Sequence, residues 1–170
     1  MEYPPNFLEQ YQGPQFGLEG VRKLLEISED RPIFIAVVKP SIAPSKMFAD
    51  LAYEALIGGA DIVKDAELLA DIPDSPLAER VEMVMQAVKK AEEVTGKKKF
   101  YQVNITGDVA DLKKFYEIAE KYKVNCIMVN AMAIGLSATK MVREFSKVPI
   151  ASHFDLNGAF GRLPFFGISH

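Results

Sequence analysis

A single cysteine, Cys126, stands in the whole chain, so no disulfide framework can hold it together. Its setting, the apolar stretch 125–129, suits a buried small hydrophobe rather than a nucleophile. An excess of one charge is also missing. The formal net charge is -3, acids and bases are interspersed, and residues 97–99 form the one basic run, which argues against a nucleic-acid partner. No run approaches the roughly eighteen apolar residues of a membrane span. Residues 1–15 are polar and proline-containing and lack the basic and apolar regions of a secretory leader. A cytoplasmic protein with neither a membrane nor a nucleic-acid partner is expected. Gly13, Gly17 and Gly20 do not have the spacing of a phosphate loop after a strand, so they read as backbone punctuation. What remains is a chain that is 49% apolar and 25% charged, enough for a packed core. Its 170 residues suit one domain but fall short of the roughly 250 of a complete eight-fold β/α barrel.

Strand-type apolar runs at 33–38, 60–63, 100–103, 124–129 and 148–152 alternate with helical patterns. The first helix carries Phe48, Leu51, Ala52, Ala55 and Leu56 on one face, with Ser45 as N-cap and Gly58-Gly59 as the stop. The second opens at Ser75-Pro76, carries Val81, Val84, Met85 and Val88, and ends near Gly96. The third is expected from Asp108, burying Leu112, Phe115, Ile118 and Ala119; the fourth is expected from Ser137, burying Met141, Val142 and Phe145. A short helix near 21–27 precedes them. Residues 1–30 read as a linker with that leading helix, and 31–170 as the α/β unit. Such alternation implies a parallel sheet covered by helices, and periodicity leaves a doubly wound sheet and a barrel both open. The connection 68–74 is long for a βα loop, a feature common in functional loops.

Ligand sites of parallel α/β folds form at the carboxyl ends of the strands. Those ends carry Lys39, then Lys64-Asp65-Ala66-Glu67, then Asn104 and Thr106, then Asn130, then His153 and Asp155. Two lysines ending neighbouring buried strands would lower each other's pKa and serve as acid, base or nucleophile. Alternatively each pairs with a carboxylate and only balances charge. His153 reads as a core histidine or as a site residue, and Asn104 and Asn130 as strand-end caps or as ligands.

The same strand ends, in the same order, resemble the catalytic domain of the ribulose-bisphosphate carboxylase/oxygenase (RuBisCO) family. Tyr11-Gln12-Gly13-Pro14 is similar to the family's aromatic-Gln-Gly-Pro linker, and Val38-Lys39-Pro40 to its Ile-Lys-Pro. The block from Gly58-Gly59 to Lys64-Asp65-Ala66-Glu67 resembles its Gly-Gly-x-Asp-x-x-Lys-Asp-Asp-Glu. Val103-Asn104-Ile105-Thr106 is similar to its Leu-Asn-Ala-Thr, and His153 falls on the second histidine of its His-x-His-Arg. The resemblance implies a partial TIM (β/α)8 barrel of about five parallel strands, with Lys39 and Lys64 as catalytic residues. It implies magnesium held by Lys64 as a carbamate together with Glu67, with Asp65 as a further candidate ligand. Asn104, Thr106, Asn130 and His153 would bind a sugar-phosphate-like substrate, and the family implies a homodimer or larger homo-oligomer.

Three positions depart from the family's pattern. Ala66 stands for a metal-binding aspartate, Ser41 for a lysine and Phe154 for a phosphate-binding arginine. They point towards RuBisCO-like proteins, with metal-assisted enolisation by an enolase, isomerase or carbon–carbon lyase, and with magnesium held weakly. The alternatives are a non-catalytic remnant or scaffold subunit, a true carboxylase fragment, and a generic phosphate-binding domain. The remaining expectation is that the chain is a fragment: too few residues follow His153 for three more strands, so the isolated chain is inefficient and self-associates.

Overall fold

The computed structural model describes residues 4–69 and 71–156. In chain order the elements are α1 (Pro5–Leu8), α2 (Gly17–Leu25), β1 (Ile35–Val37), α3 (Ser45–Ile57), β2 (Ile62–Lys64), α4 (Leu77–Thr95), β3 (Phe100–Asn104), α5 (Leu112–Lys121), β4 (Cys126–Val129), α6 (Ala131–Ile134), α7 (Leu136–Phe145) and β5 (Ile150–Ser152). The strands form one sheet in the order β1-β2-β3-β4-β5, every neighbouring pair parallel. Sequential order without reversal is the barrel-type winding, not the doubly wound one.

Strand alternation divides the side chains between two faces. Val63, Tyr101, Val103, Ile127 and Val129 pack against Phe48, Ala52 and Leu56 of α3, Val81, Val84 and Val88 of α4, Leu112 of α5 and Val142 of α7. Each Val, Leu, Ile or Phe among them contributes roughly 1.5–3 kcal/mol by leaving water. The other face is covered by α2 near its amino end, where Leu25 meets Ile62, Phe100 and Cys126. Cys126 is thus a core residue, and burial pushes its thiol pKa up to about 12. Further along this face Ile35 and Val37 are exposed, while Ala36 between them packs on the helical side.

Several helix starts differ from the sequence expectation. Pro44 and Pro76 occupy the N-cap positions of α3 and α4, and neither Ser45 nor Ser75 caps a helix. Their hydroxyls face each other in the core at 2.9 Å. The first N–H of α4 is capped instead by Asp71, whose Oδ1 accepts from Leu77 N at 2.7 Å. Helix α5 begins at Leu112 rather than Asp108, because residues 108–111 form a turn closed by Asp111 N donating to Asp108 O. The fourth expected helix is α7, which starts one residue early at Leu136; an unexpected short helix, α6, precedes it, separated at Gly135, whose φ of 83° favours glycine. Helix α4 ends at Gly96 in the left-handed region, as expected. No helix among the described residues is long and apolar enough to cross a membrane.

Candidate active site

The carboxyl ends of the strands share one rim, and the β2–α4 connection is folded over it. Asn104, at the end of β3, donates through Nδ2 to the carbonyls of Ala66, Glu67 and Leu69. Asn130, after β4, donates to the same Glu67 carbonyl at 2.9 Å. Thr106 ties the two asparagines together: its Oγ1 donates to Asn104 Oδ1 at 2.6 Å and accepts from Asn130 N at 2.9 Å. Asn104 and Thr106, expected as substrate contacts, are thus held within this network. Asn104 is 2% exposed with both ends of its amide engaged, so it fixes the loop that carries Glu67. Asn130 keeps a buried Oδ1 without a hydrogen-bond partner.

Lys64 and Asp65 are consecutive and face opposite ways. Asp65 is 1% exposed and lies among the helices, accepting from Tyr101 Oη at 2.8 Å and from Asn104 N at 3.1 Å, with Arg80 Nε 3.5 Å away. Arg80, also fully buried, donates to Ser75 O at 2.6 Å. Asp65, a candidate metal ligand by resemblance, therefore faces away from the open rim and among partners that a buried charge requires.

Lys64, half-buried, lies on the open face. Its Nζ donates to its neighbour's carbonyl, Asp65 O, at 3.3 Å and stands 3.7 Å from the Met128 sulfur. Among the described residues no carboxylate lies within ion-pair distance of this nitrogen, so it is not one half of a salt bridge. Burial lowers its pKa; the charge of Glu67 opposes that shift and the charge of Lys39 reinforces it. Gln102, paired in register with Lys64, is buried and donates to the same Met128 sulfur at 3.3 Å.

Lys39, exposed at the end of the first strand region, donates to Ser41 Oγ at 3.3 Å. The Glu67 carboxylate lies 3.9 Å from His153 Nε2. Its pKa is held below the usual carboxylate range by its own backbone N–H and then, against a smaller burial effect, by Lys39, His153 and Lys64. His153 Nδ1 is buried without a partner. Lys39, Lys64, Glu67 and His153 are thus within electrostatic reach of one another around Glu67, with Asn104, Thr106 and Asn130 as the frame.

Sequence reasoning passed over Gln102 and Met128. Both follow from strand alternation, since Gln102 lies two residues before Asn104 and Met128 pairs with Asn104. It also passed over Arg80, a charge on the apolar stripe of α4 between Leu77 and Val84, a pattern that signals a buried partner.

As they stand, these side chains do not fit magnesium. A hard dication takes oxygen ligands, yet Asp65 is consumed in the core and Ala66 is fully buried and apolar, which leaves Glu67 as the one carboxylate of the implied set on the open face. Among the described residues no three Asp, Glu, His or Cys side chains cluster as a metal site.

Comparison with known proteins agrees with this fold. The family described as "Ribulose bisphosphate carboxylase large chain, catalytic domain" matches residues 17–170. A ribulose bisphosphate carboxylase-like protein of Allochromatium vinosum is 42% identical over 169 residues, 99% of this chain and 37% of that protein. The crystal structure of a rubisco-like protein from Burkholderia fungorum superposes with a TM-score of 0.91 at 29% identity, covering 99% of this chain and 42% of that one. The dimeric archaeal Rubisco from Hyperthermus butylicus gives 0.90 at 36% identity, covering 98% and 40%. The chain therefore spans about two fifths of the length of the relatives it matches.

Proposed function

The chain belongs to the ribulose bisphosphate carboxylase large-chain family, and from that premise we propose that it carries the enolising half of a RuBisCO-like active site acting on a phosphorylated, ketone-bearing sugar derivative. The observation that carries the reading is His153 standing 3.9 Å from Glu67 at the strand ends, where Lys39 and Lys64 are near enough for their charges to act on the same carboxylate. Enolisation removes a proton beside a carbonyl and needs a positioned base and a counter-charge for the oxygen. Glu67 is held ionised and can accept that proton. Lys39, on the exposed side, can return it. The cationic mouth attracts a phosphate ester. Assembly as a homo-oligomer in the cytoplasm, by analogy with the dimeric archaeal Rubisco, belongs to the same proposal.

The test is solvent-deuterium exchange at the carbon beside the ketone of ribulose 1,5-bisphosphate, followed by NMR. Exchange is expected in the native chain and strongly reduced in K39M and E67Q; native protein that binds the ester without exchanging it would instead be a non-catalytic remnant, the reading that Ala66 favours. Carboxylation is expected to be absent, for this chain and for any longer chain containing it. Ala66 removes a carboxylate, and Phe154, 76% exposed, offers no charge-assisted contact where carboxylases place an arginine. Fixation of labelled bicarbonate onto ribulose 1,5-bisphosphate would overturn that expectation.

A further inference from the structure

We infer that Lys64 acts as an amine nucleophile, forming an iminium with the ketone of a phosphorylated substrate, and so supplies the electron sink that the donor set does not provide through a metal. The inference rests on the enolisation reading and deepens it. Removing a proton beside a carbonyl leaves an electron pair that must be accommodated on the carbonyl side. A Lewis-acid metal does this by polarising the oxygen, and a lysine does it by replacing the oxygen with a positively charged nitrogen. Here the first route is short of ligands: beside Glu67 and a carbamate on Lys64 nothing of the implied set remains, since Asp65 faces the helices against Tyr101 and Arg80, and Ala66 is apolar and buried. The second route has its nucleophile in place. Lys64 sits on the open face at a strand end, and its nitrogen touches one backbone carbonyl and one thioether, with no carboxylate in ion-pair distance among the described residues. The wall beside it, Met128 and Gln102, is neutral.

The step balances with groups already present. The Nζ lone pair attacks the ketone carbon, and the former carbonyl oxygen takes a proton to give a carbinolamine. That hydroxyl leaves as water with a second proton, for which Lys39 is the available acid, and a C=N⁺ bond forms. Glu67 then takes the proton from the adjacent carbon, and the C–H electron pair becomes the C=C bond of an enamine as nitrogen loses its charge. Reprotonation and hydrolysis return the amine.

Borohydride reduction in the presence of dihydroxyacetone phosphate and excess EDTA tests this, because trapping reads a single event per chain and does not require turnover. One secondary-amine adduct is expected, mapped by peptide mass spectrometry to Lys64 and lost in K64R and K64M. If neither variant folds, as judged by circular dichroism, the mapped position in the native chain decides. No adduct, or adducts spread over exposed lysines such as Lys147, would overturn the inference. So would bicarbonate-dependent magnesium uptake with a carbon dioxide increment on Lys64, which is the metal route. Deuterium exchange separates the two readings: exchange without a Lys64 adduct removes the iminium and leaves enolisation standing, whereas an adduct without exchange keeps the iminium and removes enolisation.

Discussion

Burial is the largest influence on Lys64 and lowers its pKa from the usual 10.5; Lys39 adds to the shift, while Glu67 and Asp65 oppose it. The folded chain therefore holds this proton less tightly than the unfolded chain. The charged amine costs stability below its folded pKa, and the cost fades as pH rises from there towards the unfolded value. K64M is expected to raise the melting temperature at neutral pH, modestly because the amine is only half-buried, and to remove the part of the alkaline gain in stability that Lys64 contributes. Thermal melts across pH would show it; a lower melting temperature would mean that the amine has a favourable partner. Behind Lys64 the sign reverses, because Asp65, Arg80 and Tyr101 complete one another in the core. Tyr101→Phe deletes one donor to Asp65 and should cost about 1–3 kcal/mol. R80M leaves the carboxylate without its cation and should cost about 3–5 kcal/mol. Denaturant titration ranks the two, and equal small losses would show that Asp65 is neutral in the fold. The sequence made Lys39, Lys64, Glu67 and His153 legible, since charged or imidazole groups at the ends of apolar runs are conspicuous. The surroundings of Asp65 were not legible: alternation turns it from the face of Lys64, but its partner Tyr101 is 36 positions away.

At the scale of elements, the five parallel strands were legible from the alternation of period-2 and period-3.6 apolar patterns, whereas their sequential order, which periodicity left open, was implied by the family resemblance. Helix beginnings were not, because a serine beside a proline signals a cap locally while Ser45 and Ser75 are claimed by each other in the core. What fastens the approach segment to the sheet was equally hidden. Arg31 donates to both Asp61 oxygens at 3.1 and 2.7 Å, and Phe34 N donates to one of them at 2.8 Å, joining the chain before β1 to the start of β2. Burial pushes the Asp61 carboxyl up, but these hydrogen bonds and the charges of Arg31 and Lys99 outweigh it and hold the pKa below 3.8. A depressed carboxylate adds stability that is present above the unfolded pKa and lost as pH falls through the folded one. D61N should therefore lower stability at pH 7, modestly because Arg31 is 43% exposed. It should also remove part of the acid-induced loss below about pH 4. Urea midpoints measured from pH 7 to pH 2.5 test this, and parallel curves for the two proteins would refute it.

Across the whole molecule the described sheet is finished on one face and open on the other. Helices α3, α4, α5 and α7 cover the first, and α2 covers only the amino end of the second. The exposed side chains of Phe34, Ile35 and Val37 gather at β1, and those of Phe154 and Leu156 follow β5. These two are also the outer strands of the sheet, so each has a side that no other strand of the described residues pairs. Unpaired strand edges next to exposed apolar surface are a template for association with another chain. A parallel sheet has a further reason to associate, because such strands are stable chiefly when both faces are buried. The isolated chain is therefore expected to self-associate, with its sedimentation coefficient rising with concentration and thermal unfolding broadened by the coupled equilibrium. A charged substitution on the open face at the amino end of β1, away from the site, I35K, should shift it towards monomer while leaving the α3–α4 packing intact. A native chain that sediments as one monomeric species at all concentrations and melts in one sharp transition would show that the open face is tolerated in water, and that the described strands form a self-sufficient unit.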